Sequence, residues 1–324
     1  MRGVDYVIRR TGAALLTVFV AVTLNFVLFR AVPGSAVTAL RCFHCTKQFK
    51  AALEQELGLN QSMWQQYTIY LGNLAEGDLG TSFTDRRSVW QNLREPIMNT
   101  LPMLVIATVI SIVIGVAAGV VSAWRRGTRT DRLNTWTALS FYAMPTQWIG
   151  LMVVFYIALR FGFPVAGIRD PTLGILEEPS TWTVIADRLR HLALPALTLG
   201  IGLYGEYALI VRSSMLETLG EDYVLTARAK GLKNFNIVWR HGLRNAMLPL
   251  VTLIALSFGY ILAGAIVIEE VFSYPGIGLA VINAIDQRDY PVLQGAFLLL
   301  TFAVIFFNYV ADLLYFKLDP RVTA

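Results

Sequence analysis

Charge is scarce in this sequence. Asp, Glu, Lys and Arg make up 15% of the 324 residues and hydrophobic residues 55%, whereas soluble domains carry roughly 25% charged and 45–50% apolar residues. A soluble globular protein is therefore excluded, and an integral membrane protein is expected. Cysteine is nearly missing as well. The CxxC pair Cys42 and Cys45, with His44 between them, invites a metal reading, but zinc usually takes four ligands and nothing nearby completes the set. No metal site is expected, and the pair is left as a candidate disulfide or as two thiols. No G-x-x-x-x-G-K-[ST] phosphate loop occurs, so the chain has no visible cradle for nucleotide phosphates. His191 and His241 have no plausible serine or cysteine partner, which leaves catalysis without a candidate constellation.

What is present is a series of apolar runs. A helix needs about 20 apolar residues to cross a bilayer. Thr11–Phe29, Leu101–Ala123, Leu133–Leu159, Met247–Ile268 and Val292–Ala311 qualify without a charge, and Leu192–Val211 is interrupted only by Glu206. Six transmembrane helices in an all-α fold are expected, because lipid-exposed strands or loops would leave backbone groups unsatisfied. The first run is longer than the ~7–15 residues of a signal-peptide core, so it reads as a retained anchor.

Orientation follows the cations in the short loops. The N-terminal Arg2, Arg9 and Arg10, the loop bearing Arg125, Arg126, Arg129 and Arg132, and the stretch from Arg212 to Asn245 fall on one side with Lys317 and Arg321. Both termini are therefore expected in the cytoplasm of a cell-membrane protein. The net charge of +5 is explained by arginines facing anionic lipid and calls for no nucleic acid. On the opposite side Glu269, Glu270, Asp286 and Asp289 outnumber Arg288; Glu269 and Glu270 are expected on a solvated face.

The chain divides into an anchor helix at 1–32, an outer segment at 33–100, a helical block at 101–316 and a tail at 317–324. Leu53, Leu57, Trp64, Tyr67 and Tyr70 in the outer segment suit amphipathic helices. Gly115, Gly119, Gly200, Gly202, Gly205, Gly259 and Gly264 suit close helix packing in lipid. Glu206 sits within this thin-faced region, where an ionised carboxylate costs about 2.5–3.5 kcal/mol at mid-membrane. It is expected to line a pathway or to face protein.

The polar insertion at 212–245 is where a membrane protein would grip a soluble partner. Asp222 is expected to cap a helix beginning at Tyr223, and Gly231 to end it in a left-handed conformation. Ala227 and Ala229 would leave little side chain between backbone and partner, with Arg228 and Lys230 beside them. The alternative is an amphipathic helix lying on lipid.

Several phrases in order along nearly the whole chain carry a family resemblance: LGLNQSMWQQY from Leu57, GDLGTSF from Gly77, EDYVLTARAKGL from Glu221, HGLRNAMLPLVT from His241, LAGAIVIEEVFSYPGIG from Leu262, RDYPVLQG from Arg288 and DLLYFKLDPR from Asp312. The sequence resembles permease subunits of the dipeptide, oligopeptide and nickel ATP-binding-cassette importers, of the first permease type. The resemblance implies a type I importer transmembrane fold, with an extracytoplasmic helical segment after helix 1. It also implies a second related permease, two ATPase subunits that use ATP and Mg, and an extracytoplasmic substrate-binding protein. Residues Glu221–Pro249 correspond to the family's coupling motif, with Ala227, Gly231 and Pro249 matching its pattern. The glutamate that names the motif is replaced by Leu225, and the family's PGDP is PGSA at Pro33–Ala36. The runner-up is an ion-coupled secondary transporter working without an ATPase, which would need coupling residues at broken helices.

Overall fold

The computed structural model describes residues 2–31, 60–175 and 178–318. Cys42, Cys45 and Pro33–Ala36 lie outside the described residues. Ten helices of eight or more residues appear among those described: α1 Arg2–Ala31, α2 Met63–Ala75, α3 Val89–Trp124, α4 Arg129–Ala143, α5 Thr146–Val153, α6 Thr181–Leu219, α7 Asp222–Ala229, α8 Arg244–Val271, α9 Ile277–Gln287 and α10 Tyr290–Leu318. Within α1, α3, α6 and α10 lie stretches long and apolar enough to cross a membrane. The expected stretch Met247–Ile268 lies on α8, which has 28 residues.

The expected third span is not one rod. Leu133–Leu159 breaks between α4 and α5, and the chain bends by 105° there. Pro145 causes the break: it has no N–H to continue the ladder, and its ring drives Met144 into an extended conformation at φ −81°, ψ 130°. A π-helical stretch, Val154–Ala158, then follows α5.

The chain forms two compact units, Met1–Asn99 with Gly276–Phe306, and Thr100–Pro275 with Phe307–Ala324. In the first unit, α2 opens on a capping box in which Ser62 and Gln65 satisfy each other's backbone N–H groups. Tyr67 bonds Thr23 of α1 at 2.7 Å and stacks near Phe26, with ring centroids 5.2 Å apart. Val89 and Leu93 pack with Val281, Val292 and Ala296 in a dry cluster. Asp289 ties the Gly77–Phe83 turn to this unit: it accepts from Ser82 Oγ at 2.5 Å and from the Phe83 and Thr84 amides at 3.2 Å. It is thus a buried clamp, not part of an acidic outer surface.

The second unit is built on α6, whose 39 residues run about 58 Å at 1.5 Å each. Glycines let its neighbours close on it. A Cβ at Gly115 would lie 2.7 Å from Tyr207 Cβ, one at Gly119 2.7 Å from the Ala208 carbonyl, and one at Gly205 would collide with the Ala138 carbonyl. The surroundings of Gly259, Ala263 and Gly264 lie outside the described side chains.

Glu269 departs from the expectation of a solvated face. It is 0% exposed and accepts a hydrogen bond from Thr100 Oγ1 at 2.5 Å, while Glu270 is exposed. Burial and the facing Glu269 carboxylate push the Tyr274 phenol up to about 12, so Tyr274 stays a donor across the physiological range. The physical reason is pairing: a carboxylate enters a protein interior when hydroxyl donors there replace its water.

Replacing Gly205 by leucine forces backbone against backbone and is expected to lower stability by about 1–3 kcal/mol, the usual cost of overpacking. Gly12, whose added Cβ meets nothing within 4 Å, tolerates alanine unchanged. Thermal unfolding of both variants in detergent checks the contrast.

Candidate functional site: the loop between α6 and α8

The root of the loop is an ion pair. Arg212 reaches across from α6 and donates to Asp131 of α4 twice, Nε to Oδ1 at 2.7 Å and Nη2 to Oδ2 at 3.0 Å. Asp131 is 3% exposed and is further satisfied by the Gly127 amide at 3.0 Å and Thr135 Oγ1 at 3.3 Å. Thr128 caps α4 by accepting from the Asp131 amide at 3.4 Å. The carboxylate therefore holds the turn at Gly127, the start of α4 and the last turns of α6 in one knot. The Thr128-x-x-Asp131 spacing marks a helix start in sequence. Its partner 81 positions away leaves no local trace.

Beyond Gly220, α7 forms a short separate helix. Its N-cap is Glu221, extended at φ −73°, ψ 149° and making no side-chain cap bond. Asp222 is the first helical residue instead of the expected cap, where its charge acts on the positive helix end. The C-terminus follows expectation. Gly231 is left-handed at φ +72°, its N–H donates to Arg228 O at 2.9 Å, and the Leu232 N–H donates to Ala227 O at 3.3 Å. These two bonds make a Schellman motif, which stops α7 sharply.

The inner face of α7 is apolar. Val224 and Ala227 are buried against Ile237, with Leu219 alongside. Ala227 therefore faces its own chain, correcting the expectation that it presents bare backbone to a partner; the 3.6-residue period puts 224 and 227 on one face, and Ile237 covers both. Tyr223 Oη accepts from Asn245 Nδ2 at 2.8 Å, which ties the other end of α7 to the start of α8. Beneath lies a core of Val211, Met215, Val238, Ala246 and Leu250. A π-helical stretch, Ile237–Leu243, packs close to α6 through Gly242, where an added Cβ would lie 3.1 Å from Met215 Cε.

The outer face carries Tyr223, Leu225, Arg228, Ala229 and Lys230, all exposed. Leu225 is 57% and Phe235 69% exposed, with Leu232 and Trp239 also open. Apart from Leu225, which stands where the motif's glutamate would be, the sequence reading does not single out these apolar residues; the signal is their presence within an otherwise basic loop. Pro249 lies elsewhere, exposed inside α8. Glu206 is half-buried on α6, beside the Gly205 contact, and has no hydrogen-bond partner among the described residues. Among the described residues no group of three or more metal-ligating side chains converges.

The architecture is that of an all-α membrane protein in which a short helix, α7, stands between the long helices α6 and α8. Residues 111–324 match the family of binding-protein-dependent transport system inner membrane components, and residues 3–108 match the family's N-terminal component; the chain belongs to this family. It is 39% identical over 332 residues to the di/tripeptide transport system permease protein DppB of Pseudomonas aeruginosa, with 98% of each chain covered. It is 38% identical over 334 residues to the dipeptide transport system permease protein DppB of Escherichia coli, and 34% identical over 318 residues to the glutathione transport system permease protein GsiC of the same species; in both, 98% of each chain is covered.

Removing Arg212 strands a buried carboxylate, whereas neutralising Asp131 leaves a partly open arginine that rehydrates. Arg212→Ala is therefore expected to cost about 3 kcal/mol and Asp131→Asn about 1–2 kcal/mol. Denaturant titration in detergent reads the asymmetry, and equal losses would contradict it.

Proposed function

We propose that the chain is one half of the translocation pore of an ATP-driven importer of short peptides, coupled to its motor through α7. The observation that carries this reading is a rigid helix, tied down at both ends, that shows apolar and cationic side chains to solvent. Leu225, Phe235 and Trp239 have no use for water, and Arg228 and Lys230 bring charge beside them, a combination suited to a protein cleft more than to a bare surface. The substrate class is suggested by the relatives: one is named for di- and tripeptides, one for dipeptides and one for glutathione, itself a tripeptide.

In the proposed mechanism this chain pairs with a second related permease. Two ATP-binding subunits, using ATP and Mg, seat the coupling loops, and an extracytoplasmic binding protein delivers substrate. Closure of the ATPases on ATP displaces the two α7 helices as rigid bodies. Because Arg212 fixes α6 to α4 and Asn245 fixes α7 to α8, that displacement reaches the bundle without being absorbed in the loop. The drive comes from contacts that differ between the two states. The chain supplies no catalytic group, both termini face the cytoplasm, and lipid surrounds the apolar helices. Asp222, Tyr223, Ala227, Arg228, Ala229, Lys230, Gly231 and Pro249 remain the coupling residues of this reading, with Ala227 acting from inside and Leu225 added on the docking face. Glu206 borders the pathway.

Leu225→Asp places a charge on the exposed face without touching the fold. It is expected to abolish copurification of the nucleotide-binding subunits and to reduce ATP-driven uptake at least ~10-fold, a loss of about 1.4 kcal/mol or more in coupling, at unchanged thermal midpoint. Undiminished uptake by Leu225→Asp and by Gly231→Val together would overturn the docking role.

A further inference from the structure

At the end of the second unit opposite the loop, a cavity of about 610 Å³ lies between the segment after α5 and the first turns of α6. That size falls within the roughly 300–1,000 Å³ of small-molecule sites. Its walls include Phe163, Pro164, Val165 and Pro171, and its polar groups are Asp170, Asp187, Arg190 and His191. The segment is pinned from several sides. Asp187 Oδ2 accepts from the Asp170 amide at 2.9 Å, Arg190 Nη2 donates to Gly162 O at 2.8 Å, and the guanidinium lies 5.9 Å from the Phe163 ring centroid. The Gly167 amide donates to Ser273 O at 3.3 Å.

His191 is the odd member of this network. It is 7% exposed, yet one ring nitrogen does nothing for the fold. Nδ1 lies 2.9 Å from the Asp187 carbonyl and 3.3 Å from Asp187 Oδ1; both can only accept, so Nδ1 carries a hydrogen, and with one hydrogen on the ring Nε2 is its acceptor. Nε2 has no partner among the described residues, and His191 lines the cavity. Asp170 behaves similarly: Oδ1 is occupied by the Thr172 amide at 2.8 Å and hydroxyl at 2.7 Å, while Oδ2 is unused. Thr172 holds this carboxyl below the usual carboxylate range, so it remains ionised at neutral pH. Two acceptors, one of them an anion, therefore share a cavity with an apolar wall, and the neighbouring cation is already tied to Gly162 and Phe163. Such a set selects a donor with positive charge.

We infer that this cavity is a vestibule subsite for the free amino terminus of a short peptide. The ammonium group donates to His191 Nε2 and Asp170 Oδ2, and the adjoining side chain packs on Phe163 and Val165. The choice of a peptide as the amine rests on the function proposed above, whereas recognition of the ammonium rests on the cavity alone.

The probes are trialanine and N-acetyltrialanine, titrated against the full chain in lipid nanodiscs with saturation-transfer NMR as readout. Native protein is expected to bind trialanine and not the acetylated form, and Asp170→Asn, at an exposed position that leaves the fold intact, to weaken trialanine about tenfold. His191→Gln tests the second acceptor, with a thermal midpoint as the folding control. Equal binding of the two probes, equal affinity of Asp170→Asn and native protein, or no transfer to native protein would overturn the subsite. Uptake of trialanine by the assembled importer separates the two readings. Uptake without amino-terminal discrimination by the chain removes the subsite alone. Discrimination without ATP-driven uptake removes the importer reading and leaves the subsite standing.

Discussion

The structure depends on one ion pair, between a buried carboxylate and a partly exposed guanidinium, at the root of the loop between α6 and α8. A short helix standing outside a bilayer transmits displacement only if its attachment is stiffer than the helix's contact with its partner. Asp131 and Arg212 provide that stiffness between α4 and α6. The carboxylate is closed off and fully bonded, and the guanidinium meets it through two parallel donors. Such a pair contributes less to net stability than its contacts suggest, because the carboxylate must leave water entirely and the guanidinium in part. What it gives is geometric fixity between α4 and α6.

The apolar contacts beyond the pair extend the same logic. Val224 and Ala227 seat α7 on Ile237, Asn245 holds Tyr223 from the far side, and the Schellman turn at Gly231 releases the chain abruptly into the next segment. Each of these is local and short, so the loop carries few degrees of freedom between its outer face and the membrane bundle. Glycines at the α6 contacts serve the bundle in the same way, by bringing backbones within van der Waals reach where no hydrophobic effect drives helices together.

Much of this was legible in the sequence, and the misses share a cause. Hydropathy located the apolar runs because burial in lipid imposes length and composition locally. Gly231 was legible because a left-handed residue after a short helical pattern has a strong local signature. The sequence also contains the break at Pro145, but hydropathy alone runs straight through it because the flanking residues remain apolar. Glu269, Asp289 and Arg212 read as surface charge in the sequence because their partners, Thr100, Ser82 and Asp131, stand 169, 207 and 81 positions away. A buried charge is recognised by its partner, and a partner that distant has no periodicity to announce it. The direction of Ala227 is hidden for the same reason: its helical period is visible in the sequence, but its cover, Ile237, is not.

The central claim, that the outer face of α7 sits in a separate motor protein, is tested most directly by a photo-crosslinking amino acid at position 225 in the assembled complex. The account predicts a covalent adduct between this chain and a nucleotide-binding subunit, formed in native membranes and lost when that subunit is absent. Crosslinking to lipid alone, with the nucleotide-binding subunits present and unmodified, would contradict it.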